Sequence, residues 1–132
     1  MKSLFAYAQE TRGFIVRVSA NYLQEQSEPK KNRWFWAYHI RIENVGDEAA
    51  QLLARRWEIR DGNGALNLVE GEGVIGEQPV IKPGGSFDYV SGCPLATPAG
   101  SMVGSFQMIG EDGARFNIAV PRFALKAPVV NG

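Results

Sequence analysis

From Trp34 to Glu43 the chain alternates: Trp34, Trp36, Tyr38, Ile40 and Ile42 occupy the even positions, and the odd positions end in His39, Arg41 and Glu43. A period of two puts alternate side chains on opposite faces of an extended backbone, so this segment predicts a half-buried β-strand. Its aromatic and β-branched residues suit a pleated surface. The same period recurs along the chain. Phe14, Val16 and Val18 share a face in Phe14–Ala20, and Leu53, Trp57 and Ile59 share a parity in Gln51–Asp61. Shorter stretches follow at Ala65–Glu70, Val80-Ile81, Ser86–Ser91, Ser101–Ile109 and Ala114–Val120, the last stopped by Pro121. Between them lie turn sequences: Asn44-Val45-Gly46-Asp47-Glu48, Asp61-Gly62-Asn63-Gly64, Lys82-Pro83-Gly84-Gly85 and Gly110-Glu111-Asp112-Gly113. Such strings admit positive φ and close hairpins. Many short strands joined by glycine-rich turns predict an all-β sandwich or barrel. Helix is confined to a single turn near Tyr22-Leu23-Gln24-Glu25-Gln26, ahead of Pro29.

A chain of 132 residues fits one domain, here taken as residues 1–132 with 1–13 and 127–132 peripheral or flexible. Lys plus Arg and Asp plus Glu number 14 each. A protein that grips nucleic acid through phosphates carries a large positive excess, so this balance disfavours nucleic acid as a partner. Cys93 is the single cysteine, which rules out an internal disulfide and suits a reducing cytoplasm. No apolar run reaches transmembrane length.

Four segments resemble the ApaG family, small bacterial proteins whose domain also occurs within larger eukaryotic ones. They are Val16-Arg17-Val18 with Tyr22–Ser27; Ala37–Asn44; Gly71-Glu72-Gly73-Val74-Ile75-Gly76-Glu77-Gln78-Pro79; and Ser91-Gly92-Cys93-Pro94-Leu95-Ala96-Thr97-Pro98-Ala99-Gly100-Ser101-Met102. The resemblance implies a fibronectin type III-like or immunoglobulin-like sandwich of about seven to nine antiparallel strands. It links the chain to cobalt and magnesium tolerance. It also implies genetic neighbours that include a dinucleoside tetraphosphate hydrolase and an rRNA methyltransferase. Reuse of the domain in F-box and polymerase-interacting proteins implies a protein-binding module.

Gly71-Glu72-Gly73-Val74-Ile75-Gly76 carries the Gly-X-Gly-X-X-Gly spelling of a dinucleotide loop. That motif works where the glycines let the backbone approach a pyrophosphate at a helix N-terminus within a βαβ unit. Here the loop leads into Glu77-Gln78-Pro79-Val80, an extended stretch, and Glu70, Glu72 and Glu77 put negative charge around it. A Rossmann reading is therefore rejected. The alternative that remains is an anion-binding nest of backbone N–H groups on Gly71, Gly73 and Gly76, with a divalent cation bridging glutamates and phosphate. Against it stands a loop or bulge shaped by glycine for the fold alone.

His39 is the only histidine and sits mid-strand, so it reads as a structural residue; with Cys93 alone beside it in the inventory, no transition-metal set is expected. Cys93, before Pro94, reads as a spectator thiol in a loop. Lys30-Lys31-Asn32-Arg33 beside Trp34-Phe35-Trp36 resembles a base-stacking set, but Trp34 and Trp36 share the core face with Ile40 and Ile42. Arg55-Arg56 places one arginine on each face of its strand. No carboxylate pair, Ser/His/Asp set, CxxC or HExxH marks a catalytic centre, so no catalytic residue, cofactor or metal is assigned. The expected function is a non-enzymatic module that recognises an unidentified protein partner through the loops Gly71–Gln78, Cys93–Gly100 and Gly46–Ala50. The alternative is a nucleotide or pyrophosphate binder using Gly71, Gly73 and Gly76, with hydrolysis of nucleotide polyphosphates the remotest reading.

Overall fold

A computed structural model describes residues 5–128 of the chain. The alternation at Trp34 becomes β3 (Trp34–Asn44), whose even-numbered side chains from Trp36 onward are buried. β2 (Phe14–Tyr22) pairs with one edge of β3, and β7 (Ser86–Leu95) with the other. β1 (Tyr7–Thr11) completes a four-stranded antiparallel sheet in the order β1-β2-β3-β7. The facing sheet runs β5 (Leu66–Glu72), β4 (Ala50–Asp61), β8 (Ala99–Gly110), β9 (Arg115–Lys126), with β6 (Val80–Ile81) also paired to β4. The two sheets close over one core, which agrees with the expected sandwich and strand number. Trp57 sits at its centre, edge-on to Tyr38, Phe106 and Phe123 with ring centroids 5.6, 6.1 and 6.0 Å away. Short 3-10 turns at Gln24–Gln26 and Pro29–Lys31 are the only helical pieces among the described residues.

Several local expectations are corrected. Residues 7–11, within the stretch expected to be peripheral or flexible, form an edge strand whose backbone is held by β2 from Tyr7↔Val18 to Thr11↔Phe14. Residues 1–4 and 129–132 lie outside the described residues. Leu53 does not share the core face with Trp57. The β4–β8 register shifts between Leu52 and Ala54, and one extra residue in a strand reverses its parity, so Leu52 takes the buried place. Pro121 does not end its strand. It and Arg122 stand where the β8–β9 register shifts opposite Val103, and β9 continues to Lys126. Cys93 and Pro94 are in β7, not in a loop. Both prolines lie on edge strands, where a missing N–H need not break a ladder.

The two seams of the sandwich differ. Along one, β1 and β9 are stitched across the sheets: the Ala119 N–H donates to Thr11 Oγ1 and the Ala124 N–H to the Tyr7 hydroxyl, each at 3.2 Å. Along the other, β5 and β7 are the terminal strands of their sheets, and neither pairs with a further strand among the described residues.

Candidate functional site

The open seam holds a cleft of about 430 Å³. Tyr38, Trp57 and Met102 form its floor; Leu66, Asn67 and Val69 of β5 and Ser91 to Leu95 of β7 form its walls. This volume lies within the range of ligand sites in proteins. Arg55 lies toward one end and Asp61 toward the other. They are six residues apart on β4, or roughly 20 Å along an extended chain.

The glycine segment borders the Arg55 end, and each glycine has its own local reason. Gly71 is the penultimate residue of β5, opposite Arg55; a Cβ there would lie 2.8 Å from Arg55 Nη2. Gly73 has φ of 62°, and a Cβ on it would meet the Glu77 carbonyl oxygen at 2.4 Å. Gly76 has φ of 80°. With Ile75 at φ 44° it forms the two central residues of a tight hairpin closed by Val74 and Glu77, whose N–H groups each donate to the other's carbonyl at 2.9 Å. The Gly73 N–H donates to the Leu53 carbonyl at 2.8 Å. The amides of Gly73, Val74 and Glu77 therefore each have a carbonyl acceptor inside the fold.

The two other recognition loops are smaller than the sequence suggests. Of Cys93–Gly100, only the stretch 96–98 lies outside strands, and Thr97 Oγ1 fixes it by accepting from the Gly62 N–H and donating to the Ala99 carbonyl, both at 2.8 Å. Gly46–Ala50 is pinned by buried Asn44, whose Nδ2 donates to the Glu48 and Ile81 carbonyls and whose Oδ1 accepts from the Gly46 N–H.

His39 and Cys93 do not meet. His39 pairs across with Val90 and bonds Asp88 at 2.8 Å, whereas Cys93 pairs across with Trp36 and points into the core. Burial pushes the Cys93 thiol up to about 11, which suppresses the nucleophilic thiolate at neutral pH. Burial also raises the Tyr38 and Tyr89 hydroxyls, with Arg55 pulling against it at both. Among the described residues, no group of three or more His, Cys, Asp or Glu side chains is placed to hold a metal ion. Among the described residues no helix is long and apolar enough to cross a membrane.

Sequence reasoning set one arginine on each face of β4, and the structure gives each a distinct role. Arg56 faces outward and pairs with Glu70. Arg55 faces inward at the cleft, a role its spacing from Trp57 and Ile59 signals.

Residues 24–110 match the ApaG domain. The chain is 52% identical over 122 residues to Protein ApaG of Brucella suis biovar 1, covering 92% of this chain and 94% of that one. It is 48% identical over the same span to Protein ApaG of Rhodospirillum centenum. Among solved structures, the ApaA protein from Bordetella pertussis superposes with a TM-score of 0.85 at 41% identity, covering 89% of this chain and 95% of that one.

Proposed function

Because the chain belongs to the ApaG domain family, we propose that it is a non-enzymatic recognition module that binds another protein along the open β5–β7 seam. The observation that carries this reading is the placement of exposed apolar side chains. Leu66, Leu68, Ile75 and Val80, four of the six large hydrophobic residues left exposed among the described residues, fall on β5, the hairpin after it and β6, and a fifth, Val90, is on β7. Exposed apolar side chains on and beside unpaired strand edges are what a protein partner covers. The cytoplasm, where a lone buried thiol stays reduced, suits this role. The nucleotide alternative draws no support from the hairpin, whose amides at Gly73, Val74 and Glu77 already have carbonyl acceptors.

The test is affinity capture from native lysate with the unaltered chain and with Leu68→Lys, Ile75→Lys and Val45→Lys. The reading expects partners lost with the first two and kept with the third, which lies away from the seam. Capture that is indifferent to Leu68 and Ile75, or abolished equally by Val45→Lys, contradicts it.

A further inference from the structure

Arg55 has an unusual electrostatic position. Its β4 register pairs it with Phe106, wholly buried on β8, and with Gly71 on β5, so its side chain enters the space between the sheets. Three arginines of the described chain are half-buried: Arg17, Arg41 and Arg55. Arg17 has Glu43 and Arg41 has Asp88. Arg55 has no carboxylate partner among the described residues; its Nη1 donates to the Glu72 and Gly73 carbonyls, each at 3.0 Å, and these neutral acceptors engage two of its five donors. One polar group of the cleft floor adds to the surplus of donors: Trp57 Nε1, which can only donate, is buried without a hydrogen-bond partner among the described residues. A cleft with a cation that has no carboxylate partner, and with donors on Arg55 and Trp57 left without acceptors, is complementary to an acceptor-rich monoanion.

We propose that the cleft takes the carboxylate side chain of an extended peptide strand, which pairs with the free edge of β5 and sets its carboxylate on Arg55. This rests on the reading of the seam as a protein-binding face and names what the partner presents there. The strand is implied by β5 itself: it offers unpaired backbone groups along the cleft wall, and an added strand satisfies them while its alternate side chains enter the cleft. A carboxylate is favoured over a phosphate because Arg55 supplies one positive charge, which a monoanion balances and a dianion exceeds, and the other charged residue lining the cleft, Asp61 at the far end, is acidic. Asp61 also gives the bound strand a direction, with its acidic residue at the Arg55 end.

The experiment selects displayed random heptapeptides against the native full chain. The expected winners alternate β-branched or aromatic residues with one Glu or Asp at a fixed position. Each is then resynthesised with Gln, Asn or phosphoserine at that position and titrated by the change in tryptophan emission. The neutral replacement is expected to weaken binding by about tenfold or more, and phosphoserine to bind no tighter than the carboxylate. The peptide substitution leaves the protein untouched, so a folding defect cannot produce the result. Arg55→Gln, checked for a native melting transition, is expected to erase the difference between the Glu and Gln peptides. Winners without an acidic position, a preference unaltered by Arg55→Gln, tighter phosphoserine binding, or no winners at all overturn the proposal. Lysate capture that still depends on Leu68 and Ile75 would then leave the protein-binding reading standing.

Discussion

Replacing Gly71 with alanine separates two explanations of the glycine segment. If Gly71 exists to admit Arg55, the effect of a methyl group there depends on whether the arginine is present. A Cβ at Gly71 would lie 2.8, 2.9 and 2.9 Å from Arg55 Nη2, Cζ and Nη1. Ordinary carbon contacts begin near 3.5 Å, so the guanidinium must retreat by roughly 0.6 Å. Its two 3.0 Å bonds to the Glu72 and Gly73 carbonyls then stretch out of hydrogen-bond range. The guanidinium ends a flexible side chain that can turn to water, so the loss is about 1–2 kcal/mol rather than the full strength of two charged bonds. Gly71 lies in a strand without positive φ, so alanine there gains roughly 0.5–1 kcal/mol of backbone entropy. The net expectation is a destabilisation of about 0.5–1 kcal/mol in the unaltered chain and a gain of similar size in the Arg55→Ala chain. Urea unfolding of the four proteins, followed by tryptophan emission, gives the coupling energy directly. Equal effects of Gly71→Ala in both backgrounds would refute the assignment of Gly71 to Arg55.

Gly104→Ala should be far harsher, because its Cβ would stand 2.2 Å from the Arg56 carbonyl oxygen, a backbone atom that cannot swing away; a loss of about 3 kcal/mol or more in thermal or urea unfolding is expected. Ile75→Asn should stabilise the chain by roughly 0.5–1 kcal/mol, because asparagine tolerates the φ of 44° that a β-branched residue resists, and Ile75 is 56% exposed; the same change should weaken partner capture. Cys93, with its thiol raised to about 11 from an ordinary 9.0, should react with iodoacetamide at pH 7.5 on the order of 100-fold more slowly in the native state than after unfolding. The sign for stability follows: the folded state favours the neutral thiol, so this contribution is complete below pH 9 and is lost as pH rises toward 11. Cys93→Ala should flatten that part of the pH–stability curve.

The core was legible in β3 because every second side chain from Trp36 to Ile42 is buried, and a one-residue slip would expose all of them. Where an extra residue enters a strand, parity misleads: Leu52 and not Leu53 is in the core, and no residue type announces that bulge. Pro94 and Pro121 read as strand ends because a proline breaks an interior ladder, but edge position is a tertiary property that removes the penalty. The glycine motif was legible as a turn and not as three separate demands: room for Arg55, close approach to Glu77, and the positive φ of a hairpin. Arg55 was placed on one face of its strand by spacing alone. Its lack of a carboxylate became visible only once the acidic residues had taken their places on other elements.

Amide hydrogen exchange in the free chain tests the difference between the two seams most directly. The account predicts strong protection of the Ala119 and Ala124 amides, held by Thr11 and Tyr7 across the closed seam, and rapid exchange of the alternate amides from Leu66 to Glu72 that do not bond β4. Protection of all the β5 amides at the level of the core strands would mean that this edge is already covered, and would contradict the proposed binding face.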